Sequence, residues 1–379
     1  MATKNRRVLL LTFLMLLTSM VACHRRESRE IRIGALLPLS GGGANYGKSL
    51  QQGLELALED INGSGGINGK QFKIIYEDSQ GDAKTGISGF NKLVSVDNVP
   101  VVVASISSVV LAVAPIADQQ HIVLINSSAM SPKICDEATT YLFSFMVSGS
   151  DEAQFMARTF AKQHGNEPIA VLYSNNSSGV DTKSTFISDL NVSGGRLAIA
   201  EAYDLGTSDF RTQLTKIKAS RARYGYLLAF SSSEFAQILR QSKELGLSIQ
   251  WYSYSGFETR DTLSLAGSSA DGMIYSYPSY LGRDTAMAEF QQRFRSKYNS
   301  VPDIYTATSY DALKAIANAI ARNNDLSPDD IRASLKTSDY TGLFGRTSFG
   351  VHQCVARQLM WKNVKGGEFN TASDQNGGQ

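Results

Sequence analysis

The chain has 379 residues, 42% hydrophobic and 19% charged, a balance that excludes a disordered polypeptide and suggests two folded domains. Its formal charge is +2, but Lys4, Arg6 and Arg7 precede an apolar run that reads as an export signal. Removing those three takes the 37 basic residues to 34 against 35 acidic ones, too few to hold a phosphate backbone, so nucleic acid is excluded as a partner.

The apolar run at 8–22 is too short for a standard membrane-spanning helix. It ends in Met20, Val21, Ala22 and Cys23, which resembles a bacterial lipobox, with Cys23 as the lipidated residue. The expectation is a signal peptide over 1–22, a lipidated linker over 23–30 and an extracytoplasmic chain anchored to a membrane through Cys23. A plain signal peptide, or an uncleaved anchor with a chance cysteine, is the other reading.

Residues 31–39 form an apolar run, followed by a glycine turn at 41–43. Leu50, Leu54, Ala57, Leu58 and Ile61 then repeat at helical spacing until Asn62, Gly63, Ser64, Gly65 and Gly66 end the helix. Strands at 72–76, 99–106, 122–126 and 141–147 alternate with helices at 83–96 and 108–119. The pattern restarts with strands at 168–173, 197–203, 224–230, 250–254 and 273–277. Helices at 152–163, 182–190, 210–219 and 234–245 separate them. Three more helices follow at 286–298, 306–322 and 329–336, the last with Ser327 as cap and Pro328 in its first turn. Residues 342–350 and 356–362 read as a closing hairpin, and 370–379 as a flexible tail. This alternation predicts an α/β protein of two doubly wound parallel-sheet lobes.

Residues 42–49, GGANYGKS, match the P-loop pattern between a strand and a helix. A nucleotide hydrolase is the less favoured reading, because an exported chain lacks nucleotide and no strand ending in a metal-binding Asp follows. His24, His121, His164 and His352 show no metal-ligand spacing, so no metal and no cofactor are expected. Cys135 and Cys354 are either a disulfide or two unrelated thiols. No nucleophile with a base and no carboxylate pair marks an enzyme.

Six motifs stand in order along the chain: Gly34 with Pro38 to Gly41 and Ala44 to Gly47; NGSGGING at 62–69; Glu77, Asp78 and Asp82; Ile106 to Ser108; Ser128 to Pro132; and Tyr310 to Ala312. Together they resemble the type I solute-binding proteins of the leucine/isoleucine/valine-binding family, from about residue 31 to 369. The resemblance implies lobes of 31–143 with 278–341, and 145–274 with 345–369, joined by a three-crossing hinge that closes on a ligand. It places Tyr46, Ser107, Ser108, Ser128, Ala129 and Met130 at the cleft from one lobe. From the other it places Ser178, Phe230, Ser231 and Glu258. Ser107 and Ser108 also begin a predicted helix, where free N–H groups suit an anion or Ser108 caps its own helix. An unpaired buried Glu258 would need a cationic or amide N–H group on the ligand; a solvated loop acid is the alternative. Relatives often carry Thr at Met130 and an aromatic residue at Ser178, so this chain departs at both.

The resulting expectation is a monomeric extracytoplasmic lipoprotein. It would capture a small polar molecule, an amino acid or derivative, amide or small carboxylate, for an ABC-type membrane permease. The two departures motivate the alternative of a sensor or envelope-assembly lipoprotein of the same fold.

Overall fold

The computed structural model describes residues 30–371, apart from 137, 138, 281, 324 and 351. The expectations for the signal peptide, for Cys23 and for the tail beyond 371 lie outside the described residues.

The first sheet has the order β2-β1-β3-β4-β5 and is wholly parallel. Its strands are β1 (Glu30–Leu37), β2 (Gln71–Asp78), β3 (Val101–Ala104), β4 (Val123–Asn126) and β5 (Leu142–Ser144). Between them run helices α1 (Ala44–Gly63), α2 (Ala83–Ser95), α3 (Ser107–Gln120) and the short α4 (Lys133–Asp136). The central strands VVVA and VLIN are buried throughout, as a sheet covered on both faces requires.

The second sheet has the order β14-β13-β10-β9-β8-β6-β7. After α5 (Gly149–His164) come β6 (Pro168–Ser174), α6 (Ser177–Val192), β7 (Arg196–Tyr203), α7 (Arg211–Ala219) and β8 (Tyr224–Leu228). Then follow α8 (Ser232–Glu244), β9 (Gln250–Ser253), α9 (Arg260–Ala266) and β10 (Ile274–Pro278). The chain next adds α10 (Asp284–Tyr298), α11 (Ile304–Asn323) and α12 (Pro328–Lys336) to the first lobe. Arg293 pairs with Asp60, Tyr310 donates to the same carboxylate at 2.6 Å, and α11 packs along α1. A Cβ at Gly53 would lie 2.2 Å from Ser309 Oγ and from Thr306 O, so glycine sets how closely those two helices approach.

A two-residue ladder, β11 (Thr341–Gly342) with β12 (Gly345–Arg346), precedes the last crossing. The closing hairpin is not the predicted one. It is β13 (Leu359–Lys365) with β14 (Glu368–Thr371), antiparallel on the edge of the second sheet, so Asn370 and Thr371 belong to a strand rather than to the tail. Helix α6 begins at Ser177, five residues before its predicted start, because Asn176 caps it by accepting from Gly179 N.

The chain passes between the sheets after β5, after β10 and after β12. The third passage is tied back to the first lobe: Ser144 N donates to Gln353 O at 2.9 Å, and Val355 N to Ser144 O at 3.0 Å. A disulfide between Cys135 and Cys354, 219 residues apart, fixes that attachment and settles the two readings of these cysteines.

Candidate functional site

The P-loop pattern does not fold as a phosphate cradle. Helix α1 begins at Ala44, so residues that would have to form the loop are helical, and Ser49 Oγ donates to Asp303 at 2.7 Å.

In parallel α/β sheets the C-terminal strand ends and the following helix N-termini form a natural crevice. A narrow cavity lies there in the second lobe. Ser174 comes from the end of β6, and Leu228, Ala229 and Phe230 from the end of β8. Tyr254 follows β9, while Asn176, Ser178, Gly179 and Thr182 come from the start of α6. Glu152, in the first turn of α5, completes this wall, and Met130 closes the cavity from the first lobe. A Cβ at Gly179 would sit 2.1 Å from Ser174 O, so glycine lets the α6 N-terminus meet the strand end.

The lobes touch along this seam. Tyr46 OH donates to Phe230 O, and its ring packs edge-on against Phe230 and Tyr305, with centroids 5.9 and 4.9 Å apart. Ser131 Oγ donates to Asp181 Oδ2 at 3.0 Å, and Lys133 Nζ lies 3.5 Å from Asp181 Oδ1. At the other end of the seam Arg260 Nη1 donates to Asn299 O at 3.0 Å.

Of the sequence-predicted residues, Met130, Ser178 and Phe230 line the cavity, and Tyr46 packs against Phe230. Ser128 and Ala129 are buried in the loop leading to Met130; both N–H groups donate to Asn126 Oδ1, at 3.2 and 2.7 Å. Ser107 Oγ accepts from Ser131 N at 3.2 Å in the same loop. Ser108 points elsewhere: exposed, it donates to Gly81 O at 3.2 Å. It does not cap α3 either, since the cap position is Ile106, held at φ +66, a strained value for a β-branched residue.

Two expectations are corrected. Ser231 Oγ caps α8 by accepting from Glu234 N at 3.3 Å, in a reciprocal box with the Glu234 carboxylate, so its hydroxyl serves the helix. Glu258 is buried but not unpaired. Lys362 Nζ lies 2.6 Å from its Oε2, and Tyr275 OH donates to it at 2.5 Å, so its counter-charge comes from β13 and not from a ligand.

The acid in the cavity wall is Glu152. It accepts from Ser255 N at 2.9 Å, Ser255 Oγ at 2.6 Å and Ser276 Oγ. Burial nevertheless dominates these bonds, and its carboxyl is pushed up to about 7. From the sequence, Glu152 looks like any acid in a helix first turn, and nothing local marks it as buried.

A raised carboxyl in the folded state means that the native protein binds more protons than the unfolded chain between about pH 4.5 and 7. Stability therefore falls as pH rises through that window. The shift corresponds to about 3 kcal/mol, and Glu152→Gln is expected to flatten that part of the profile. Chemical denaturation of both proteins at pH 5 and pH 8 measures it; parallel profiles would refute the assignment.

A periplasmic binding protein family model matches residues 30–366. The leucine-, isoleucine-, valine-, threonine- and alanine-binding protein of Pseudomonas aeruginosa is 24% identical over 86% of this chain and 88% of its own length. Among solved structures, a branched-chain amino acid transporter substrate-binding protein of Streptococcus pneumoniae, bound to isoleucine, superposes with a TM-score of 0.81 at 23% identity. It covers 90% of this chain and 98% of that one. A solute-binding protein of an ABC transporter from R. palustris, bound to benzoate, gives 0.83 at 18% identity, over 90% and 95% of the two chains.

Proposed function

From the premise that this chain belongs to the periplasmic binding protein family, and so is an extracytoplasmic solute-binding protein rather than an enzyme, we propose that it encloses one small polar ligand between its lobes and presents it to an ABC-type membrane permease. The observation that carries this reading is the seam cavity, built from helix N-termini and strand ends of one lobe and closed by Met130 of the other. The moving units are 31–143 with 278–341, and 145–274 with 345–369. Open and closed forms of such a hinge differ by a few kcal/mol, and a ligand touching both lobes selects the closed one. The cross-seam contacts of Tyr46, Ser131 and Lys133 add to that preference.

The relative named for leucine, isoleucine, valine, threonine and alanine and the fold neighbours holding isoleucine and benzoate support an amino acid or derivative, an amide or a small carboxylate as cargo. Met130, Ser178 and Phe230 are its proposed contacts, with Tyr46, Ser107, Ser128 and Ala129 shaping the loops behind them. A lipid on Cys23 is the proposed anchor, and the monomer the proposed working form. Calorimetry of the mature chain against amino acids, amides and small carboxylates tests the reading. Binding of one class at micromolar affinity or better is expected, and silence from the folded protein across the panel would refute it. Crosslinking in membranes then separates import from sensing, by capture of a permease or of a receptor.

A further inference from the structure

The loop from Met130 to Cys135 meets the parts that would move on closure. Met130 closes the cavity, and its carbonyl accepts from Gly149 N at 2.8 Å, where the first crossing enters α5. Ser131 Oγ donates to Asp181 Oδ2 at 3.0 Å, and Lys133 Nζ lies 3.5 Å from Asp181 Oδ1, so both grip α6 of the second lobe. Cys135, two residues after Lys133, is bonded to Cys354 on the third crossing. Lys133 and Cys135 share α4, a single turn of four residues. A turn that short has no stability of its own and takes its position from what holds it. Ile134, 2% exposed, is sunk in the first-lobe core, and the disulfide ties the next residue to the crossing. Beside that bond the third crossing pairs with the end of β5, Cys354 bridging to Ser144. The disulfide therefore links the hinge to the residues that grip the opposite lobe. Both cysteines are half-buried rather than enclosed, which leaves the bond open to a small dithiol.

We infer that the Cys135–Cys354 bond is a redox-sensitive control of closure: intact, it holds α4 where Ser131 and Lys133 grip Asp181, and opened, it loosens that grip and favours the open form. Opening takes two electrons and two protons from a dithiol, which closes into its own disulfide while Cys135 and Cys354 become thiols. The inference rests on the proposed closure of the lobes. Open and closed forms lie close in free energy, so losing one exposed ion pair is enough to shift their populations severalfold.

The test uses the mature chain without any solute, oxidised and in dithiothreitol, as wild type, Asp181→Asn, Asp189→Asn and the Cys135→Ser, Cys354→Ser pair. Asp189 is the matched control: it stands on the same helix, its side chain is 19% exposed like that of Asp181, and its partner Arg158 belongs to the same lobe. Hydrogen exchange reads the loop at 128–136 and the Gly149 N–H bonded to it, and small-angle scattering reads the separation of the lobes. Opening the bond in the wild type is expected to speed exchange there about threefold to fivefold, the scale of one well-placed ion pair, and to raise the radius of gyration. Reoxidation should restore both, and the serine pair should match the reduced wild type. Oxidised Asp181→Asn should show the same rise, and opening its bond should add less than about twofold, because the two changes act through one contact. Asp189→Asn should behave as the wild type. Unchanged exchange and dimensions on opening, or an equal rise in wild type and Asp181→Asn, would overturn the inference. So would Asp189→Asn matching Asp181→Asn, or loss of far-UV circular dichroism on reduction, which would make the bond a support of the whole fold. If the serine pair does not fold, the reduced wild type carries the test. Each of these results leaves the proposed function standing, whereas silence in the binding panel bears on that function alone.

Discussion

Replacing Cys135 and Cys354 together by serine is expected to lower stability by about 5 kcal/mol, the chain-entropy value for closing a loop of this size. The bond joins residues 219 positions apart, so in the unfolded chain it restrains almost the whole second lobe along with α10 to α12. In the folded protein it holds the third crossing against β5, beside the Ser144 contacts with Gln353 and Val355 and the bond from Gln353 Nε2 to Thr140 O. Guanidinium unfolding of the oxidised protein and of the double variant measures the difference through the transition midpoint. Coincident transitions would mean that the bond contributes nothing to the mature protein.

Asp311→Ala is expected to cost about 3–5 kcal/mol, the range for removing one partner from a buried charge network. Asp311 is 1% exposed on α11, and its two oxygens accept from Leu343 N at 3.0 and 2.9 Å and from Tyr340 OH at 3.1 Å. These bonds fix the ladder that launches the third crossing, and Gly342 lies so close that a Cβ there would be 2.4 Å from the carboxylate. Arg357, half-buried, feels the same charge and donates to Phe344 O at 3.0 Å. Alanine leaves the Leu343 N–H and the Tyr340 hydroxyl unsatisfied and removes a counter-charge from Arg357. Asp311→Asn keeps an acceptor and is expected to cost about half as much. The thermal midpoints of the two variants test this ordering, and equal small shifts would refute it.

Most elements of both lobes were legible in the residues themselves. Alternating apolar runs and helical spacings are local patterns, and so are Ser327 with Pro328 and the glycines at 63, 65 and 66. They placed most strands and helices within a few residues, though α4 and α9 were not among them. The misses have local causes too. Helix α6 starts early because Asn176, which looks like any turn residue, caps it. Strand β14 was read as tail because Asn370 and Thr371 are polar on an exposed sheet edge.

The site was only partly legible, because its chemistry depends on which distant groups face one another. Ser231 and Ser108 each carry a hydroxyl beside a helix start, yet one caps a helix and the other bonds Gly81, 27 positions away. Glu152 and Glu258 are alike in the sequence. What separates them is a lysine 104 residues further along that packs against one and not the other.

By itself the sequence determined a two-lobed α/β chain with a resemblance to solute-binding proteins, since periodicity, caps and short motifs are written in neighbouring residues. Tertiary structure alone decided that Cys135 meets Cys354, that Lys362 answers Glu258, and that Glu152 stands in a cavity wall with no cation among the described residues. Burial and pairing decide the energy of a charge, and both are properties of the folded surroundings rather than of the residue.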